Sequence, residues 1–276
     1  MAAFTPLILD LDEDFFDRFH LKPGPVIGTG LSGQVIHATS DNLNFGLAVK
    51  MFSMLHQADD MNVQLYTQEV KAMVGVDHPN IIKLISAVRC PRYWSITTPY
   101  CRNGTLSQRL SELTPHHLAL YLIQLSCAVR YLYKRRIVHA DIKPANVFLD
   151  DNGHAVLADF GLSFVVPDTT ECSANIGGTP AFMAPELLCN GRVDPFKLDV
   201  YSLGAVVWCM LFRVEPNPMS VHSYLDELNN CPDVPHIYRC VLTAMLHQEP
   251  DLRIDICTLL VKLKEENFAV EMIDAL

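Results

Sequence analysis

Val138-His139-Ala140-Asp141-Ile142-Lys143-Pro144-Ala145-Asn146-Val147-Phe148-Leu149, with Asp159-Phe160-Gly161 a short way on, places four chemically distinct groups in one order. Asp141 is a carboxylate that can act as a base, Lys143 an ammonium, Asn146 a neutral amide oxygen and Asp159 a second carboxylate. The last two are hard oxygen donors of the kind Mg²⁺ prefers. A base that takes the proton of an attacking hydroxyl, a cation that neutralises the transferred group and a pair of metal ligands are what phosphoryl transfer requires. Singly, Asp141 and Asn146 are common turn-formers and Asp159 could simply open a loop. Their order is the informative feature.

Upstream of this stretch the chain reads as short strands rich in β-branched and aromatic residues, at 25–27, 34–38, 45–52, 82–88 and 93–97. One helix interrupts them, at about 63–74, with Leu65, Val70 and Met73 at helical spacings and His78-Pro79-Asn80 closing the connection. After Asn103-Gly104 long amphipathic helices take over, such as 115–134 with Leu118, Tyr121, Leu122, Leu125 and Val129 along one stripe. A strand-rich first third and a helix-rich remainder give an α+β, two-lobed architecture, with a crevice expected near 98–103.

The first lobe carries its own phosphate-handling candidates. Gly28-Thr29-Gly30-Leu31-Ser32-Gly33-Gln34-Val35 lies between two expected strands, and its glycines permit a close backbone approach to phosphate. A dinucleotide-binding fold would need a helix directly after the glycines, whereas 35–38 reads as a strand. Leu47-Ala48-Val49-Lys50 ends an apolar strand on an ammonium, and Glu69 on the expected helix is its natural anion. In isolation each would pass for a solvated surface residue.

Together these motifs, in this order from Gly28 to Arg253, resemble the catalytic domain of eukaryotic protein kinases, and Lys143 with Gly178-Thr179-Pro180 resembles the Ser/Thr class. The resemblance implies one domain over 1–276: an N-terminal extension to 25, a small lobe at 26–98, a hinge at 99–103 and a helical lobe from 104. Transfer of the γ-phosphoryl group of ATP to protein Ser/Thr hydroxyls, with one or two Mg²⁺, is the implied activity. Asp141, Lys143 and Lys50 take the catalytic roles, and Asn146 and Asp159 hold metal. ATP contacts fall to Gly28, Thr29, Gly30, Leu31, Ser32, Gly33, Val35, Ala48, Lys50, Glu69, Thr98, Pro99, Cys101 and Phe148. Thr98 is the gatekeeper; Pro99 offers its carbonyl and Cys101 its N–H to adenine. His139 and Phe160 are packing residues. Glu186, in Gly178-Thr179-Pro180-Ala181-Phe182-Met183-Ala184-Pro185-Glu186, is expected to pair with Arg253, and Asp199, read as opening an apolar helix, to hold the catalytic loop through its backbone.

One departure bears on control. Ala140 stands where most of the family carries the Arg that binds an activation-loop phosphate, and Asn175 stands where many carry the phosphorylated Thr. The expectation is an enzyme independent of phosphorylation at that position, with Thr169, Thr170 and Ser173 left for other control. The alternative is a pseudokinase-like scaffold or allosteric partner; a small-molecule kinase is disfavoured by the segment 178–186.

Composition narrows the setting. Half of the 276 residues are hydrophobic, enough for a sizeable core. A net charge of −10 argues against non-specific nucleic-acid binding. The nine cysteines are scattered without Cys-x-x-Cys spacing and read as reduced thiols. Residues 1–14 carry no secretory or myristoylation signal, and the apolar stretch at 203–212 is too short to span a bilayer. An intracellular protein, cytoplasmic or nuclear, little more than a catalytic domain and without membrane attachment, is expected; its oligomeric state is unread.

Overall fold

The computed structural model describes residues 6–30, 33–54, 59–167, 176–188, 193–219, 221 and 223–265. The chain forms two compact units, Met1–Arg102 and Asn103–Leu276.

The first unit is a six-stranded sheet with one long helix. Its strands are β1 (Leu7–Asp10), β2 (Lys22–Gly30), β3 (Gly33–Thr39), β4 (Leu47–Ser53), β5 (Ser86–Arg89) and β6 (Tyr93–Pro99), in spatial order β1-β5-β6-β4-β3-β2. All neighbours are antiparallel except β1, which runs parallel to β5. Pro23 and Pro25 fall in β2, an edge strand with two register shifts, where a missing N–H breaks no interior ladder. The short helix α1 (Phe15–Arg18) is capped by Asp14, whose side chain accepts from Phe16 N–H at 2.8 Å, and the helix α2 (Asp59–Met73) follows β4.

Segment 7–21 packs onto this unit's core through Phe15. Phe15 is buried among Leu47, Val49, Val88, Cys90 and Tyr93, with Leu9, Leu11, Phe16, Phe19 and Leu21 packed around it. Asp10 pairs with Arg89 at 2.6 Å, and Asp14 accepts from the Tyr93 hydroxyl at 3.0 Å. The residues expected to form an extension therefore supply an edge strand and a cover for one face of the sheet. The strand expected at 82–88 is confined to Ser86–Arg89.

The second unit is mainly helical: α3 (Leu106–Arg109), α4 (Pro115–Lys134), α5 (Pro195–Phe212), α6 (Tyr224–Asn230), α7 (His236–Met245) and α8 (Ile256–Glu265). Thr114 caps α4 by accepting from His117 N–H at 3.2 Å while His117 Nδ1 accepts from Thr114 N–H at 3.3 Å, and Pro115 takes the first turn, where no N–H is needed. Its apolar stripe is buried against α5 and α8. Helix α5 has the length and composition to cross a membrane, but 72% of it is buried in this unit, so it serves as the core helix. It starts at Pro195, four residues before Asp199, behind an Asp194 cap. Two small ribbons complete the unit: β7 (Ile137–Val138) with β10 (Phe164–Val165), and β8 (Val147–Leu149) with β9 (Ala155–Leu157). They bring the chain before Asp141 next to the chain after Asp159.

Candidate active site

In the first unit, Lys50 lies opposite Val35 on β3 and Ile96 on β6, and Ala48 lies opposite His37 and Thr98. Strand alternation puts Lys50, Ala48, Val35 and Thr98 on one face. Lys50 Nζ donates to Glu69 Oε2 at 2.8 Å, with the two side chains 18% and 5% exposed. So buried a carboxylate needs a cation, and β4 and α2 together supply one. Pro99 closes β6 opposite Leu47; the next N–H, that of Tyr100, donates to Gly46 at 2.9 Å, so the proline removes only a terminal rung. Thr98, Pro99 and Cys101 are half-buried.

The glycines differ among themselves. Gly33 has φ +137°, and a Cβ there would collide with the carbonyl oxygen of Met51. An added Cβ on Gly30 meets nothing within 4 Å, and on Gly28 only ordinary contact with Val35. Gly33 is thus fixed by packing, whereas Gly30 borders open space.

In the second unit, Asp141 is 8% exposed and held at both oxygens. Its Oδ1 accepts from the Thr179 hydroxyl at 2.8 Å; its Oδ2 accepts from Lys143 Nζ at 2.7 Å and Asn146 Nδ2 at 2.9 Å. Lys143 Nζ also donates to Thr179 Oγ1 at 2.8 Å, and Asn146 Nδ2 to the Asp141 carbonyl at 2.9 Å. The turn Pro144–Asn146 brings these groups back onto one carboxylate. Ala158 N–H donates to the Asn146 carbonyl at 2.9 Å, which seats Asp159 beside the loop with an exposed side chain and left-handed backbone, φ +63°.

The loop is set from behind by Asp199. Its carboxylate accepts from His139 N–H at 2.7 Å and Ala140 N–H at 2.9 Å. Burial pushes the Asp199 carboxyl above its ordinary value of 3.8, and the two backbone donors pull the other way. Ala140 is left-handed, φ +66°, a conformation that costs a non-glycine residue roughly 1–2 kcal/mol and that these two bonds offset. His139 is fully buried, with Nε2 3.1 Å from the Ala158 carbonyl and Nδ1 3.3 Å from Asp141 N–H, contacts that fit the Nε2–H tautomer. Its ring meets Phe160 edge-on at 4.9 Å.

Downstream, Glu186 and Arg253 form a buried two-pronged pair at 2.7 and 2.8 Å. The backbone between Thr179 and Glu186 is tied down by Ser202 and Tyr224, whose hydroxyls donate to the carbonyls of Phe182 (2.7 Å) and Ala181 (2.6 Å). A fixed carboxylate base, a neighbouring ammonium, an amide oxygen and an exposed carboxylate beside an anchored backbone segment can accept a hydroxyl proton and bind a divalent cation. Among known proteins, the protein kinase domain model matches residues 21–266.

This chain belongs to the protein kinase family.

Among its relatives, the mouse serine/threonine-protein kinase Nek5 is 30% identical over 198 residues, 70% of this chain and 30% of the relative. Mouse Nek3 is 29% identical over 253 residues, 86% and 48%. The CBL-interacting serine/threonine-protein kinase 2 of Arabidopsis thaliana is 29% identical over 263 residues, 89% and 55%. The chain therefore spans between 30% and 55% of the length of these relatives.

Within this kinase domain, Lys50 bonds Glu69, the partner the resemblance implied, and Lys143 and Asn146 both bond Asp141. Phe148 is half-buried between the buried Val147 and Leu149. Leu31, Ser32, Thr169, Thr170, Ser173 and Asn175 lie outside the described residues. Three participants escaped the sequence reading as site residues. Thr179 bonds both Asp141 and Lys143; its signal was present in Gly178-Thr179-Pro180 but was read only as a mark of the Ser/Thr class. Ser163, whose hydroxyl donates to the His139 carbonyl at 3.0 Å, and Arg136, whose side chain donates to the Val166 and Pro167 carbonyls beyond the β7–β10 ribbon, carry no motif.

Proposed function

We propose that this kinase domain is an active Ser/Thr protein kinase that moves the γ-phosphoryl group of ATP to Ser and Thr hydroxyls of protein substrates. The observation that carries the proposal is the Asp141 carboxylate, fixed by the donors Thr179, Lys143 and Asn146. A base immobilised on two oxygens is positioned to orient an incoming hydroxyl and take its proton. In this reading Lys143 neutralises the transferred group, Lys50 holds nucleotide phosphates with Glu69 as its anchor, and Thr179 positions both Asp141 and Lys143.

The residues fit Mg²⁺. Asn146 commits its amide nitrogen to Asp141, which leaves its oxygen for a cation, and Asp159 presents an exposed carboxylate nearby in sequence and backbone contact. One neutral and one anionic oxygen donor, completed by phosphate oxygens, is the set Mg²⁺ takes. One or two bound ions would neutralise the triphosphate. Gly28 and Gly30, the latter bordering open space, the face bearing Val35, Ala48 and Thr98, the carbonyl of Pro99, the N–H of Cys101 and the ring of Phe148 are the proposed nucleotide contacts.

Independence from activation-loop phosphorylation belongs to the same proposal, because alanine at 140 has no group to bind a phosphate. So does an intracellular setting, supported by seven cysteines present as free thiols among the described residues. Incubating the purified protein with Mg²⁺, γ-labelled ATP and generic protein substrates, then identifying the labelled amino acids, tests the reading. Label on Ser and Thr that disappears with Asp159→Ala is expected; no label, or label that survives that substitution, refutes it.

A further inference from the structure

Arg136 follows the C-cap of α4 with φ +58°, the left-handed position at which a helix end ordinarily carries glycine. Its N–H donates to Tyr133 at 2.9 Å, so the backbone role alone would be met as well or better by glycine. The side chain accounts for the arginine. Its Nε donates to the Val166 carbonyl at 3.1 Å and its terminal nitrogen to the Pro167 carbonyl at 2.6 Å. The Arg136 carbonyl in turn accepts from Val166 N–H at 2.7 Å. One residue thus grips the chain on both sides of Val166, directly beyond the ribbon that pairs Phe164 with Val138 and Val165 with Ile137.

We infer that Arg136 is a positioning residue that latches the segment following Asp159-Phe160-Gly161 without any phosphate. The inference rests on the proposed kinase activity and supplies the device its phosphorylation independence requires. Ordering that segment through a phosphate needs a guanidinium beside the catalytic aspartate, and Ala140 has none. Arg136, four positions earlier, directs its guanidinium to main-chain carbonyls, acceptors present whatever the modification state. The latch is therefore permanent, and it acts at the near end of the segment that runs on to Thr179, the partner of Asp141 and Lys143.

Arg136→Gly separates the two roles, since it suits the left-handed backbone while removing the side chain that carries the guanidinium. Comparison of wild type, Arg136→Gly and Arg136→Lys by hydrogen exchange over 162–167, alongside peptide phosphorylation, tests the inference. Loss of two charge-assisted bonds predicts exchange faster by about tenfold or more. With it, kcat for peptide falls by about tenfold while KM for ATP holds, the melt stays cooperative, and Lys, a single donor head, recovers part of both. Unchanged exchange in Arg136→Gly overturns the latch; faster exchange with unaltered kcat overturns its positioning role. A wild type that transfers no phosphate would refute the activity reading alone, and exchange would still decide the latch.

Discussion

Thr179 donates its hydroxyl to Asp141 across 2.8 Å, joining residues 38 positions apart in sequence. Because Lys143 donates to the same hydroxyl, Thr179 completes a ring of three side chains around the proposed base. Removing the hydroxyl while keeping the shape should loosen both partners. Thr179→Val is expected to lower kcat about tenfold to a hundredfold, matching the loss of a hydrogen bond to a charged group, with little change in KM for ATP. Thr179→Ser should keep most of the activity. Steady-state kinetics with a peptide substrate decide it, and a Val variant as active as wild type would remove Thr179 from the site.

The Lys50–Glu69 pair makes a prediction in which stability and activity part company. Lys50→Met leaves a nearly buried carboxylate without its cation and should destabilise by about 3 kcal/mol, along with loss of activity. Lys50→Met combined with Glu69→Leu should recover most of that stability and none of the activity. Denaturant melts read beside phosphorylation assays check both halves.

Asp199 predicts a pH dependence whose sign is fixed. Its folded carboxyl lies above the ordinary 3.8, so its contribution to stability is complete below that value and is lost as pH rises through the raised folded value. Wild type's stability relative to Asp199→Asn should therefore decline as pH rises from about 4. Melts of the two proteins from that pH upward show it, and an advantage growing with pH would contradict the direction.

The glycine tract predicts opposite responses from two residues. Gly33→Ala forces a Cβ into the Met51 carbonyl at a left-handed backbone position and should lower the melting temperature. Gly30→Ala enters open space, so stability should hold while KM for ATP rises as the added methyl obstructs the proposed phosphate contact.

How much of this was legible in the sequence follows from where the determining contacts lie. Catalytic-loop geometry is local: Asp141, Lys143 and Asn146 sit within six residues, and a proline-led turn folds them onto each other. Helix α4 was readable because its cap, its Pro115 and its apolar stripe all agree. Strand β1 was not, since Leu7-Ile8-Leu9 is too short to show a period and its pairing with β5 lies 79 residues away, from Asp10 to Arg89. Pairing of that range leaves no local trace. The Arg136 grip was equally invisible, because an arginine in a left-handed position looks like any exposed basic residue after a helix. Asp199 was assigned its role from the resemblance, but its helix starts earlier than the apolar run suggested, as Asp194-Pro195 supplies the cap and first turn.

The central claim is that Asp141 serves as the base in phosphoryl transfer to protein hydroxyls. It is tested most directly by the initial rate of γ-phosphoryl transfer to a Ser/Thr peptide by wild type and by Asp141→Asn, at saturating Mg²⁺-ATP and equal folded concentration. Asparagine can still bond Thr179 but cannot take a proton, so the account predicts a fall in kcat of about 10²–10⁴ with the melt retained. A folded Asp141→Asn protein that phosphorylates the peptide at the wild-type rate would contradict it.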